Sequence, residues 1–187
     1  MRYQILFGGC AIARHGATAL LSIMPLLALP ASAAPMESVL HDFSGHADGG
    51  FSIAALAMDA TGALYGTTSS GGSAGFGTVF KLTPPAAGAT KWTQSNLHAF
   101  KGGADGSAPG SAVIVGAKGQ LYGVTYQGGS ANAGIVFELG PPAGTGTNWK
   151  EQILYTFTGG ADGANPAGRL ALATNGVLYG TTYAGGI

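Results

Sequence analysis

Leu64-Tyr65-Gly66-Thr67-Thr68, Leu121-Tyr122-Gly123-Val124-Thr125 and Leu178-Tyr179-Gly180-Thr181-Thr182 are one pentapeptide set down three times, each copy 57 residues after the last. The same offset superimposes Phe43 on Phe100 and Phe157, Asp48 on Asp105 and Asp162, Gly62 on Gly119 and Gly176, and Trp92 on Trp149. Residues 39–95 align with 96–152 without a gap, and 27 of those 57 pairs are identical, which composition alone does not produce. A third copy begins at Ile153 and runs 35 residues to Ile187. The chain is therefore a tandem array, and the reading of one unit decides the architecture.

Within a unit, short runs of β-branched, aromatic and aliphatic residues alternate with glycine-rich breaks, the pattern of successive strands joined by tight turns. Four strands are predicted per unit. The first runs near Ile53 to Met58 and turns at Ala60-Thr61-Gly62 into the second, Ala63 to Thr68. The equivalent turns, Ala117-Lys118-Gly119 and Thr174-Asn175-Gly176, carry the glycine that a hairpin needs for positive φ. The third strand, Gly77 to Leu82 or Gly134 to Leu139, ends at a Pro-Pro pair that cannot donate to a ladder. The fourth runs from about Trp92 to Phe100 and from Trp149 to Phe157. Four strands in a fixed period of this length describe one blade of a β-propeller, so the expected fold is all-β, tandem four-stranded antiparallel blades of a partial propeller. A β-helix has shorter coils and parallel strands, and a β-sandwich does not require a gap-free repeat.

The first 33 residues differ in kind. Arg2 and Arg14 precede the apolar run Ala17 to Leu29, and Ala31-Ser32-Ala33 offers the small residues of a cleavage site, so residues 1–33 read as a signal peptide and 34–187 as the β-repeat domain. At 13 residues, broken by Pro25, the run is too short for a stable membrane span. Cleavage before Ala34 would remove Cys10, the sole cysteine, and leave a chain that no disulfide can staple. That chain carries 6 basic and 8 acidic residues, 6 − 8 = −2, with no basic stripe for nucleic acid. Only 9% of the residues are charged while 34 are glycine, which suits a turn-rich packed protein.

The string Leu64-Tyr65-Gly66-Thr67-Thr68, the double glycine at 71–72, the segment Gly77 to Pro84 and the loop Gly159 to Pro166 together resemble the GloVer repeat, a module of secreted bacterial proteins with varied surface anchors. The likeness covers about Val39 to Ile187. It implies an extracellular, propeller-like repeat protein, and it brings no catalytic residues with it.

Several groups are candidates for chemistry. Gly71-Gly72-Ser73-Ala74-Gly75 matches the G-x-S-x-G pattern of serine hydrolases, but no helix pattern follows and the second copy reads Gly128-Gly129-Ser130-Ala131-Asn132, so an interstrand loop is expected. His98 and Asp105 follow in the order opposite to the hydrolase arrangement. His41, Asp42, His46 and Asp48 form the densest set of possible metal ligands, yet only the first unit carries all four, and a solvated loop is the expectation. Asp48, Asp105 and Asp162 each precede glycine, which suits a carboxylate capping its own turn better than a calcium loop. Gly72 to Gly77 lacks the lysine and helix of a phosphate loop. Tyr65, Tyr122, Tyr126, Tyr179 and Tyr183 are expected between blades with their hydroxyls at a polar rim, and Trp92 and Trp149 at an outer edge. No catalytic, cofactor or metal residue is assigned. The expected function is an exported binding or surface scaffold for a glycan or protein ligand, not an enzyme. The alternatives are a fragment of a propeller-type glycan-active enzyme, which would need convergent non-repeat carboxylates, or a truncated product with no role of its own. Exposed end faces predict self-association or membership of a longer chain.

Overall fold

The computed structural model describes residues 3–8, 37–144 and 146–186. Twelve strands follow one another: β1 (Tyr3–Gly8), β2 (Glu37–Phe43), β3 (Ala57–Met58), β4 (Leu64–Thr68), β5 (Thr78–Thr83), β6 (Thr93–Ala99), β7 (Ile114–Val115), β8 (Leu121–Thr125), β9 (Ile135–Gly140), β10 (Lys150–Thr156), β11 (Ala164–Leu172) and β12 (Leu178–Ala184). Helix is confined, among the described residues, to one 3-10 turn at Gly103–Asp105.

The two complete units are antiparallel four-stranded sheets in simple sequential order, β3-β4-β5-β6 and β7-β8-β9-β10. They are flanked by the antiparallel pairs β1-β2 and β11-β12, and no described strand joins β12 back to β2. The first strand of each complete unit is shorter than its sequence suggests, a correction with a visible cause. Gly50 bridges Ser70 and Ala57 pairs with Tyr65, but Phe51 between them takes φ 54°, so the chain bows away from β4. Ala108, at the aligned place, does the same with φ 52° between the Ser107–Gln127 bridge and β7. In the third unit the same stretch is one long strand, β11, whose pairing with β12 is irregular between Ala167 and Ala171.

Consecutive sheets stack face to face. Ala57, Tyr65, Val79 and Phe100 of the first unit share a core with Val113, Leu121, Ile135, Phe137 and Leu139 of the second. Phe43 of β2 packs with Leu64, Phe80 and Leu82, and Leu170 of β11 with Ile114 and Val124. Because both faces are covered, all five residues of β4 are buried and the strand shows no polar alternation. The repeated Leu-Tyr-Gly follows from this stacking: a Cβ at Gly66 would lie 2.5 Å from Phe80 Cζ, and one at Gly123 2.5 Å from Phe137 Cζ. Glycine lets the neighbouring ring lie flat over the strand.

The fourth strands share one irregularity. Val79 faces His98 but Phe80 faces Asn96, leaving Leu97 as an extra residue, and Leu154 is skipped in the same way on β10. Such a bulge twists the strand and re-aims the side chains beyond it, here His98 and its equivalents. The pair β1-β2 repeats the register: Gln4 faces Asp42 and Leu6 faces Val39, as Thr78 faces Ala99 and Phe80 faces Asn96. Tyr3–Gly8 thus holds the third-strand place beside β2. The rest of the predicted signal segment, with the apolar run Ala17 to Leu29, the cleavage site and Cys10, lies outside the described residues. Among the described residues no helix is long and apolar enough to cross a membrane, which leaves strand-built spans aside.

Candidate functional site

Three side chains recur at every passage from one sheet to the next: an aromatic donor on the fourth strand, a phenylalanine two residues on, and the aspartate of the following loop. Residues two apart point to the same face of a strand. His41 therefore meets Phe43 edge-on at 4.6 Å, His98 meets Phe100 at 4.7 Å, and Tyr155 meets Phe157 at 5.0 Å. Each aspartate reaches back to that donor. His41 Nε2 lies 3.3 Å from Asp48 Oδ2, His98 Nε2 3.3 Å from Asp105 Oδ2, and Tyr155 donates to Asp162 Oδ2 at 3.0 Å. The same carboxylate accepts the backbone N–H four residues earlier, from Ser44 at 2.9 Å, Lys101 at 2.6 Å and Thr158 at 2.8 Å.

The double glycine completes the junction. Gly72 donates to the His46 carbonyl at 2.8 Å, Gly129 to Gly103 at 2.8 Å and Gly186 to Gly160 at 3.1 Å. A Cβ at Gly128 would sit 2.4 Å from Gly106 Cα, so the aspartate loop and the double glycine interlock as backbone against backbone. Sequence reading took both as loops and missed that they are partners; their shared recurrence in every unit was the available signal.

Above this common frame the first two junctions differ. At the first, the Ser44 hydroxyl donates to Asp48 Oδ1 in a very short hydrogen bond. Gln94 on β6 donates its amide to the Asp48 carbonyl at 3.3 Å and to Asn96 Oδ1 at 2.7 Å. Burial would raise Asp48, but the hydrogen bonds from Ser44 and His41 hold it below the usual carboxylate range. At the second junction Lys101 replaces Ser44, so no hydroxyl caps Asp105, and Glu151 on β10 stands where Gln94 stands. Glu151 Oε2 lies 3.7 Å from His98 Nε2, and the ligand atoms of His98, Asp105 and Glu151 all lie within 4.8 Å of one another.

These three side chains are only 16%, 22% and 12% exposed. Burial, then the hydrogen bond with Asp105 and its charge, pushes Glu151 up to about 8, against the pull of Lys101. Burial alone would raise Asp105 too, but the hydrogen bonds from Glu151 and the Lys101 N–H, with the His98 contact, bring it below its ordinary value. Burial lowers His98 with some help from the Lys101 charge, against the opposing pull of the Asp105 charge and hydrogen bond. These shifts together favour a neutral imidazole and a proton held between the Asp105 and Glu151 carboxyls. The arrangement can exchange a proton between two sheets or bind a cation that displaces that proton.

The groups singled out in the sequence fall elsewhere. Ser73 is exposed in the β4–β5 turn with a strand after it. Of the first-unit candidates, His41 and Asp48 come together, while Asp42 and His46 line a separate shallow cleft with Phe43 and Ser44. Glu151, which no sequence motif marks, completes the cluster that His98 and Asp105 begin. Tyr65 is buried between sheets and donates to Asp59 at 2.9 Å, and Trp149 packs beside it with ring centres 6.4 Å apart. Tyr179 and Tyr183, at 60% and 78% exposure, are not covered. A cleft of about 460 Å³ opens between β10 and the β11-β12 pair, lined by Leu154, Tyr155, Phe157, Pro166, Leu170 and Leu178.

One family model, the Gloeobacter/Verrucomicrobia repeat, matches residues 29–187. The chain belongs to that family. No curated protein and no solved structure matches it. The GloVer resemblance of the pentapeptide, double glycine and aspartate loop is thus a membership. In the GloVer repeat of this chain those three motifs are the sheet face and the two halves of the junction.

Proposed function

We propose that this chain is an exported GloVer repeat protein that works as a binding or surface scaffold for a glycan or protein ligand, its stacked sheets acting as blades of a partial β-propeller. The cleft between β10 and β11-β12 carries the reading. It presents Leu154 and Tyr155, 38% and 46% exposed, beside Pro166, an apolar wall edged by the polar groups of Tyr155, Asp162, Thr181 and Thr182, the mix that ligand sites use. The uncovered Tyr179 and Tyr183 extend an aromatic surface on β12. Export through residues 1–33 belongs to the same proposal. Cleavage before Ala34 would take β1 with it and bare one edge of β2, a row of unpaired N–H and C=O groups that favours association with a further strand.

The form starting at Ala34 should be passed over arrays of glycans and of cell-surface proteins, with Tyr155→Ala beside it and sedimentation run in parallel. Retention of one ligand class that Tyr155→Ala loses supports the scaffold. Turnover of an arrayed glycan would replace it with the enzyme reading, and no retention from a polydisperse sample would assign the function to a longer protein.

The enzyme reading has one observation in its favour, the Asp105–Glu151 pair, in which a single carboxyl held near 8 resembles a general acid. That pair faces the neighbouring sheet at the second junction, and the 460 Å³ cleft is lined by other residues. A scaffold without catalysis of its own is therefore the reading we adopt.

A further inference from the structure

We infer that His98, Asp105 and Glu151 form a binding site for one divalent cation of the zinc type, which ties the outer strand of the first four-stranded sheet to that of the second. The donors come from three places, β6, the loop after it and β10, so a bound ion would close the junction between units. Zinc bonds of about 2.0–2.2 Å in tetrahedral array hold ligand atoms about 3.3–3.6 Å apart. His98 Nε2 stands 3.3 Å from Asp105 Oδ2 and 3.7 Å from Glu151 Oε2, close to those spacings, and the three ligand atoms all lie within 4.8 Å of one another. One imidazole and two carboxylates leave a fourth position for water.

A second observation points the same way. His98 Nε2 and Glu151 Oε1 are closed off from solvent, and neither has an aligned hydrogen-bond partner. Buried polar atoms in a folded protein are almost always satisfied, so two unpartnered atoms on the same cluster call for a further partner. The first junction supplies the contrast inside the same molecule. There Gln94 uses its amide as a donor and the Ser44 hydroxyl caps the aspartate, so every role is filled by protein. At the second, Ser has become Lys, which removes the hydroxyl cap from the aspartate, and Gln has become Glu, which puts a second carboxyl where an amide donor stood. Lys101 is a cost, since its charge opposes a cation, and removing it should tighten binding.

The test is titration of Zn²⁺ alone into the metal-stripped, full-length chain, read by calorimetry and by the shift in melting temperature. One high-affinity equivalent and a rise of about 5–10 °C at a hundredfold excess over Kd are expected. Glu151→Gln and His98→Ala should each weaken that equivalent at least about tenfold, and Lys101→Ala should tighten it. Glu151→Gln recreates the residue that already stands at the first junction, so it folds while failing to bind. His41→Ala, at the first junction, should leave the zinc equivalent and its affinity unchanged. Zinc binding that survives both Glu151→Gln and His98→Ala, or no binding by the native chain, overturns the site.

Discussion

The first and second junctions are built on the same frame, yet one is satisfied by neutral donors and the other holds a proton it can lose. Asp48 is capped by a serine hydroxyl and flanked by an amide, whereas Asp105 is flanked by a carboxyl held near 8. The difference comes from two positions, 44 against 101 and 94 against 151, in a background whose hydrogen-bond lengths otherwise agree within a few tenths of an ångström. A repeat protein can therefore keep its packing constant and vary the chemistry of a single seam. What a seam does is set by donors and acceptors at its outer strands, because the phenylalanines and glycines beneath are already committed to stacking.

The largest expected effect breaks this comparison through pH. Glu151 in the folded state titrates near 8, above the usual 4.5, so its contribution is fully present below about 4.5 and is lost as pH rises through 8. In metal-free protein this loss is on the order of 3–5 kcal/mol. His98 works in the opposite sense, its lowered value favouring the folded state as pH rises through the ordinary histidine range, while Asp105, held below its ordinary value, titrates below this window. Glu151→Gln should flatten the decline, becoming more stable than the native chain at pH 9 and no more stable at pH 4. Urea denaturation at those two values measures it, and parallel curves for the two proteins would sink the buried-proton account.

Where the junctions are alike, they should fail alike. Gly128 has φ 90° and no room for a Cβ beside Gly106, and Gly71 has φ 75° with Gly49 Cα 2.7 Å from the same ideal position. Alanine at either should cost about 3 kcal/mol, from left-handed strain and backbone overlap together. Equal losses in chemical denaturation would show that the interlock belongs to the repeat. A much cheaper Gly71→Ala would mean that the first junction yields where the second does not.

Sequence periodicity made the sheets legible. Leu-Tyr-Gly marks β4, β8 and β12 because a Cβ at its glycine would meet Phe80, Phe137 or Leu170, and the Pro-Pro pairs fall just after the third strands. Turn glycines at 62, 119 and 176 all take positive φ as their hairpins demand. The bowed first strand was not legible, since Phe51 and Ala108 have no reason in their own chemistry to adopt positive φ. The candidate site was half legible. His98 and Asp105 recur in the alignment, but Glu151 lies 46 residues beyond Asp105, and only the stacking of β6 against β10 brings it to the same point. A difference between aligned units, Gln94 against Glu151, was present in the sequence and carries meaning once the seam is known to be buried.

A smaller change probes the caps. Ser44→Ala removes the hydroxyl from Asp48 and should cost about 1–2 kcal/mol, the value of a hydrogen bond to a charged acceptor. Lys101→Ser would give Asp105 the hydroxyl its two counterparts have and should gain about half as much. If Lys101→Ser instead destabilises the chain, the lysine charge is holding Asp105 ionised and the two junctions are not interchangeable.

The smallest effect concerns the bow before each sheet. Asn165 takes φ 55° and donates its side-chain amide to the Tyr126 carbonyl at 2.9 Å, so the strained position is compensated. Ala108 holds the same conformation at φ 52° with nothing to offer in return. Asparagine tolerates the left-handed region better than alanine, and glycine better still. Ala108→Gly should therefore stabilise the chain by about 0.5–1 kcal/mol, with the greater chain entropy of glycine in the unfolded state limiting the gain. Ala108→Asn should match or exceed it if its amide reaches the Ser69 carbonyl, the counterpart of Tyr126. A loss of stability in both variants would show that Ala108 is held by its methyl packing, and that the bow is set by the side chains around it and not by its own backbone.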